Sequence, residues 1–215
     1  MEESTSKEKI LKKIRKALIV ATPNPYPDVE FESSVYTEVG NELAVKFAEE
    51  FTKVSGKFVF CQNHSEFVNS LKALIDENKL QYIYCAEDKI KDLLIQANIP
   101  FYHDESDLLN TEAGITYCEF LIARLGSIMV SSRQASGRRL NVYPPAHIVL
   151  AYVSQLVPDI KHALANIKTK YADKLPSMIS LITGPSRTAD IEKTLVMGAH
   201  GPKDLYLFLV DDIHE

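Results

Sequence analysis

Apolar positions divide the chain into a short N-terminal segment and a long alternating region. From Thr5 to Leu18, Ile10, Leu11, Ile14 and Leu18 recur at helical spacing, and Thr5 with Glu8 has the pattern of a capping box. Lys12, Lys13, Arg15 and Lys16 cover the other face, which reads either as a solvated surface or as a docking arm for a partner. Pro23, Pro25 and Pro27 then prevent a continuing helix and favour an extended path. The pattern predicts a helix and proline-containing linker over 1–36 and one α/β domain over 37–215.

Within that domain a second helix is expected at about Glu38 to Val54, with Leu43, Phe47, Phe51 and Val54 inward. Short apolar runs at Phe58–Cys61, Tyr82–Cys85 and Pro100–Tyr102 read as strands. Amphipathic helices at Ser65–Glu77 and Asp88–Ala97 separate them. Continuous apolar strands between such helices imply a parallel sheet covered on both faces. Strands without intervening helices follow at Ile115–Thr116, Glu119–Ala123 and Ile128–Ser132, and then at Ile148–Val153. The remainder reads as a helix from Pro158 to Lys168, a strand at Met178–Thr183, a helix at Thr188–Val196 and a last strand at Leu205–Val210. The fold class is therefore α/β, with a mixed, mainly parallel sheet of seven or eight strands flanked by helices.

Composition narrows the function. The net charge of −5 argues against bulk attraction to nucleic acid or to an anionic membrane. No apolar run approaches the roughly 20 residues that span a bilayer. The start MEESTSKEKI lacks an apolar targeting core, so a cytoplasmic location is expected. Cys61, Cys85 and Cys118 are scattered, without CxxC or Cys/His ligand spacing. No bound metal, iron–sulfur cluster or other cofactor is expected.

Three segments mix glycine, hydroxyls and cations at the ends of elements, where open α/β sheets bind ligands. The first, Ser131 to Arg139, holds Arg133, Ser136, Gly137 and Arg138 and no acid; guanidinium forks suit carboxylates and phosphates. The second, Thr183 to Glu192, carries Gly184, Ser186, Arg187 and Thr188 into the expected helix at 188–196. Its free N–H groups and dipole would favour an anion there. The third, Gly198-Ala199-His200-Gly201-Pro202, offers His200 as a donor or proton shuttle. Arg133, Arg138, Arg187 and His200 are expected to converge on one small-anion pocket. His147 reads equally as a core or a functional histidine, whereas His64, His103 and His162 lack supporting neighbours in sequence.

Gly114-Ile115-Thr116, Arg124-Leu125-Gly126-Ser127, Pro144-Pro145-Ala146-His147-Ile148 and Leu156-Val157-Pro158-Asp159 occur in order. Thr183-Gly184-Pro185-Ser186-Arg187-Thr188-Ala189-Asp190-Ile191-Glu192 and Gly198-Ala199-His200-Gly201-Pro202 follow them. This array resembles the LUD-domain family of the lactate utilisation protein C type, over roughly residues 36–212. The resemblance implies a fold like that of ribose-5-phosphate isomerase, glucosamine-6-phosphate deaminase and CoA transferases. It also implies a cluster-free role in oxidising L-lactate to pyruvate beside two iron–sulfur partner proteins. The chain departs from the family where Ala123-Arg124-Leu125-Gly126 replaces an Ala-Glu-Thr-Gly-like stretch. That puts an arginine in place of a carboxylate and weakens a CoA-transferase reading, which needs a glutamate nucleophile. The residues also leave open a stand-alone enzyme, or a binding module, for a small phosphorylated or carboxylated metabolite.

Overall fold

The structure is a computed structural model and describes residues 5–19, 25–26, 28, 40, 42–191 and 194–213. The chain divides into two compact units, Met1–Thr37 and Glu38–Glu215. The first contains helix α1 (Ser6–Ile19). Its start is a reciprocal capping box: Thr5 N donates to Glu8 Oε2 at 2.8 Å, and Glu8 N donates to Thr5 Oγ1 at 3.3 Å. The expected linker over 21–36 lies almost wholly outside the described residues.

The second unit opens with α2 (Leu43–Lys53), β1 (Lys57–Cys61), α3 (His64–Asn78), β2 (Ile83–Cys85) and α4 (Asp88–Gln96). Next come β3 (Ala113–Tyr117), β4 (Phe120–Ile122), β5 (Ser127–Ser131), β6 (Ala146–Tyr152), β7 (Leu156–Val157) and α5 (Ile160–Tyr171). It closes with β8 (Ile179–Ile182), β9 (Arg187–Ile191), β10 (Thr194–Met197) and β11 (Asp204–Val210). The central sheet has the order β1-β11-β6-β3-β2, and all four pairings are parallel. On one face Ile115, Ile148 and Phe208 pack against Phe67 and Leu71 of α3 and Ile90 and Leu94 of α4. On the other, Val149, Leu205 and Leu207 meet Leu121, Ile128 and Val130 of a second sheet, and Phe47 and Phe51 of α2. Burial on both faces is why β6 and β11 read as apolar runs rather than alternating ones.

The second sheet, β7-β4-β5-β8, joins β5 antiparallel to both its neighbours. Its outer face packs Ile122 and Met129 on Ala163 and Ile167 of α5. The layers are thus helices, parallel sheet, second sheet and helix, an α/β arrangement with a mainly parallel central sheet as expected.

Four expectations are corrected. The strands do not share one sheet, because β4 and β5 form a hairpin that starts a second layer; apolar runs alone do not reveal which layer a strand joins. Helix α5 begins after Asp159, whose carboxylate accepts His162 N at 3.2 Å as the N-cap, so Pro158 precedes the helix rather than opening it. Pro100–Tyr102 contributes only an isolated bridge, Tyr84 to Tyr102. The largest difference is at 188–196. No helix forms there; β9 and β10 make an antiparallel two-stranded sheet. Thr188, Ile191, Thr194 and Val196 are β-branched, and such residues favour the extended backbone.

Candidate functional site

The sharpest convergence lies where the β9–β10 hairpin leaves and rejoins the body. The turn after β8 and the turn before β11 are tied together by the backbone. Ser186 N donates to Pro202 O at 2.8 Å, and Gly198 N donates to Ser186 O at 2.9 Å. His200 N lies 3.4 Å from Ser186 Oγ, which accepts from it. A Cβ at Gly201 would sit 3.2 Å from Ser186 Cβ, a tight contact that glycine avoids. Gly184 has φ +80°, and a Cβ there would fall 2.2 Å from the Val54 carbonyl oxygen. Its role is therefore close packing beneath the end of α2.

The loop from Ser132 to Pro145 covers one side of this junction and is held at several points. Gln134 Oε1 accepts from Ser131 N and its Nε2 donates to Tyr117 O, both at 2.9 Å. Arg133 donates to Lys174 O at 3.0 Å, and Arg138 Nη2 donates to Ser177 Oγ at 2.7 Å. Arg139 pairs with Glu105 at 2.9 Å. Between this loop, β8 and the tied turns is a cleft of about 330 Å³. Its wall includes Arg138, Asn141, Val142, Ser180, Thr183, Gly184, Ser186, His200 and Gly201. Among the described residues that line it there is no aspartate or glutamate. A second hollow of about 460 Å³ lies on the other side of Arg138, lined by Tyr84, Glu105, Leu108 and the loop residues 135–140.

Of the residues expected to bind an anion, Arg138, Gly184, Ser186 and His200 line the cleft. Ser136 and Gly137 line the second hollow, with Arg138 common to both. Arg133, Arg187 and Thr188 are not among the lining residues of either. The argument that placed Arg187 and Thr188 at a helix N-terminus does not apply, because both lie in strand β9. Asn141, Val142 and Ser180 were missed by sequence reasoning, and Thr183 lay in the second segment without being singled out. The first three carry no motif, and only the tertiary approach of the loop to β8 brings them together.

Two polar groups outside the cleft are buried in the body. The Glu119 side chain is fully buried. It accepts from Ser131 Oγ at 2.6 Å, from Tyr171 OH at 2.7 Å and from Lys170 Nζ at 2.7 Å. Burial alone would raise its pKa; the bonds from Lys170, Ser131 and Tyr171 outweigh it and hold the carboxyl below its ordinary value. His147 is wholly buried, shares a 2.9 Å hydrogen bond with Thr116 Oγ1 through Nε2, and is driven down to about 4 by burial. It is a neutral core histidine at pH 7.

The histidines without neighbours in sequence gain them in space: His64 Nε2 lies 3.1 Å from Tyr152 OH, and His162 Nδ1 lies 2.9 Å from Asp159. Burial pushes the thiol of Cys61 up to about 11 and that of Cys85 up to about 12, and raises Cys118 as well. These are protonated, unreactive core thiols. Among the described residues, no group of three His, Cys, Asp or Glu side chains is placed to hold a metal ion.

A layered α/β body with a parallel central sheet and a cleft between glycine-rich turns is the class of protein these features define. The chain belongs to the LUD domain family, whose pattern matches residues 101–210. It is 39% identical over 101 residues to Lactate utilization protein C of Bacillus licheniformis, covering 46% of this chain and 42% of that protein. The protein of the same name from Halalkalibacterium halodurans is 34% identical over 117 residues, 51% of each. The chain thus spans about half the length of these curated relatives. The counterpart from Anoxybacillus flavithermus aligns more widely, 28% identical over 184 residues, which are 80% of this chain and 82% of that protein. The crystal structure of a duf162 family protein from Deinococcus radiodurans shares the fold, with a TM-score of 0.59 at 18% identity over 79% of this chain and 96% of that one. No helix among the described residues is long and apolar enough to cross a membrane.

Proposed function

We propose that this protein is a cluster-free component of an L-lactate utilisation system and that the cleft beside Arg138 receives a small carboxylate. The observation that carries the reading is the closure of the 183–187 and 198–202 segments onto each other beside Arg138, around a cleft whose described lining residues include a cation and no acid. Arg138 offers a guanidinium fork, Ser186 a hydroxyl and His200 an imidazole, a donor set suited to a carboxylate of lactate or pyruvate size. Arg133 and Arg187 then act at most as flanking charge. Relatives named for lactate utilisation support the pathway, and iron–sulfur proteins are the proposed partners that carry the electrons.

Calorimetric titration of the purified chain with L-lactate and with pyruvate tests the site. Saturable binding to either ligand is expected, and heats no larger than those of dilution would sink the carboxylate assignment. Co-expression with iron–sulfur proteins encoded in the same operon tests the partnership. A complex that survives gel filtration supports it, and separate elution contradicts it. If phosphorylated sugars bind and both carboxylates do not, the reading changes to a stand-alone protein for a phosphorylated metabolite.

A further inference from the structure

The N-terminal helix carries a charge that the whole-chain total conceals. Residues 6–19 hold six cations, Lys7, Lys9, Lys12, Lys13, Arg15 and Lys16, against the single acid Glu8. That is a local charge of +5 in a chain of net −5, leaving −10 on the other residues. No residue of α1 is buried. Ile10, Ile14 and Leu18 are 58%, 49% and 77% exposed, and with Leu11 they form one continuous aliphatic stripe. At 100° per residue this stripe has Lys13 along one edge and Arg15 along the other.

We propose that α1 is an interfacial helix that lays its aliphatic stripe into an anionic lipid surface. A lipid surface fits α1 better than a groove on another protein for two reasons. Protein interfaces favour arginine and are depleted in lysine; five of the six cations of α1 are lysines. Five of its cations also spread over the polar face to both sides of the stripe instead of marking one rim, and Lys7 stands in line with the stripe one turn before Ile10. A fluid anionic surface satisfies that arrangement, and long lysine stems reach back to it from an apolar face. The acidic remainder of the chain is repelled by the same surface, so the helix would touch lipid while the body stays in water.

The full chain is mixed with sedimentable vesicles of phosphatidylcholine alone, or of phosphatidylcholine and phosphatidylglycerol in equal parts, at low salt. Co-sedimentation only with the anionic vesicles is expected, and it should be lost when salt is raised to about 0.5 M, where charges are screened within a few ångströms. The variants Ile14→Asp and Lys12→Glu/Lys16→Glu alter exposed positions on the stripe and on the polar face. Each should lower partitioning roughly tenfold or more while leaving the unfolding transition of the main body unchanged. Failure to sediment with anionic vesicles overturns the proposal, as does binding that either variant leaves intact. Light scattering without lipid is the companion measurement. A dimer dissolved by Ile14→Asp would show that the stripe serves self-association, and would also overturn it.

Discussion

The Glu119 network and the cleft beside Arg138 each hold a charged side chain, yet they differ in what surrounds it. The Glu119 carboxylate is sealed between β5 and α5, with a cation and two hydroxyls directed at it. The cleft presents a cation on an exposed loop with no acid among its described lining residues. A buried charge must be fully paired, because an unpaired one costs several kcal/mol. An open cation can wait for an external anion because water solvates it meanwhile. A carboxylate alone therefore does not mark chemistry; the marker is a charge whose match is missing in an accessible place.

This contrast predicts that substitutions at the two places fail differently. Lys170→Met leaves the Glu119 carboxylate buried with only hydroxyl partners; because Lys170 is itself half-exposed, the cost should be about 2–3 kcal/mol in chemical unfolding, with ligand affinity of the folded fraction unchanged. A cost below about 1 kcal/mol, the range of exposed ion pairs, would make the network a surface feature.

Acid should act on the body through the same buried groups. His147 is lowered from 6.5 to about 4, so the unfolded chain binds its proton first. The stability this gives is complete above pH 6.5 and is lost as pH falls towards 4, by about 3 kcal/mol. The lowered Glu119 pKa works in the same direction at more acid pH, its contribution disappearing as pH falls through the folded-state value. Urea unfolding between pH 7 and pH 4 should show the decline, and His147→Leu should flatten its upper part. An unchanged slope would mean that His147 is solvated.

Among the glycines, Gly184→Ala meets the Val54 carbonyl at a positive φ and should destabilise by about 2 kcal/mol or more. Gly137→Ala has a similar φ with open space around it and should cost only about 1 kcal/mol. Equal thermal shifts for the two would refute the packing role given to Gly184.

Arg138→Ala reverses the pattern: stability should move by less than about 0.5 kcal/mol, while carboxylate affinity falls roughly tenfold or more, the loss of about 1.5–3 kcal/mol from a charged hydrogen bond. Arg187→Ala, on β9 outside the cleft lining, should have the smaller effect on affinity.

How far the sequence carried this account depends on the period of the pattern. Helix α3 and strand β11 were legible because amphipathic spacing and apolar runs report burial directly. The 188–196 segment was misread as a helix: acids beside Thr188 resembled first-turn residues, while its β-branched positions carried the competing and correct signal. Arg138, Ser186 and His200, which line the cleft, were legible as candidates because glycine, hydroxyl and cation occur together in short turns. The cleft wall at Asn141 and Ser180 was invisible, since the two lie 39 positions apart and meet only through loop packing. The pairing of Glu119 with Lys170 was hidden for the same reason, 51 positions apart.

The most direct test of the central claim is a backbone and histidine-ring NMR titration of the full chain with pyruvate. The account predicts saturable shift changes at Ser186, at the His200 ring and in the loop around Arg138, with none at Ser131, Lys170 or Tyr171. Shifts confined to the Glu119 surroundings, or no saturable shift anywhere, would contradict it.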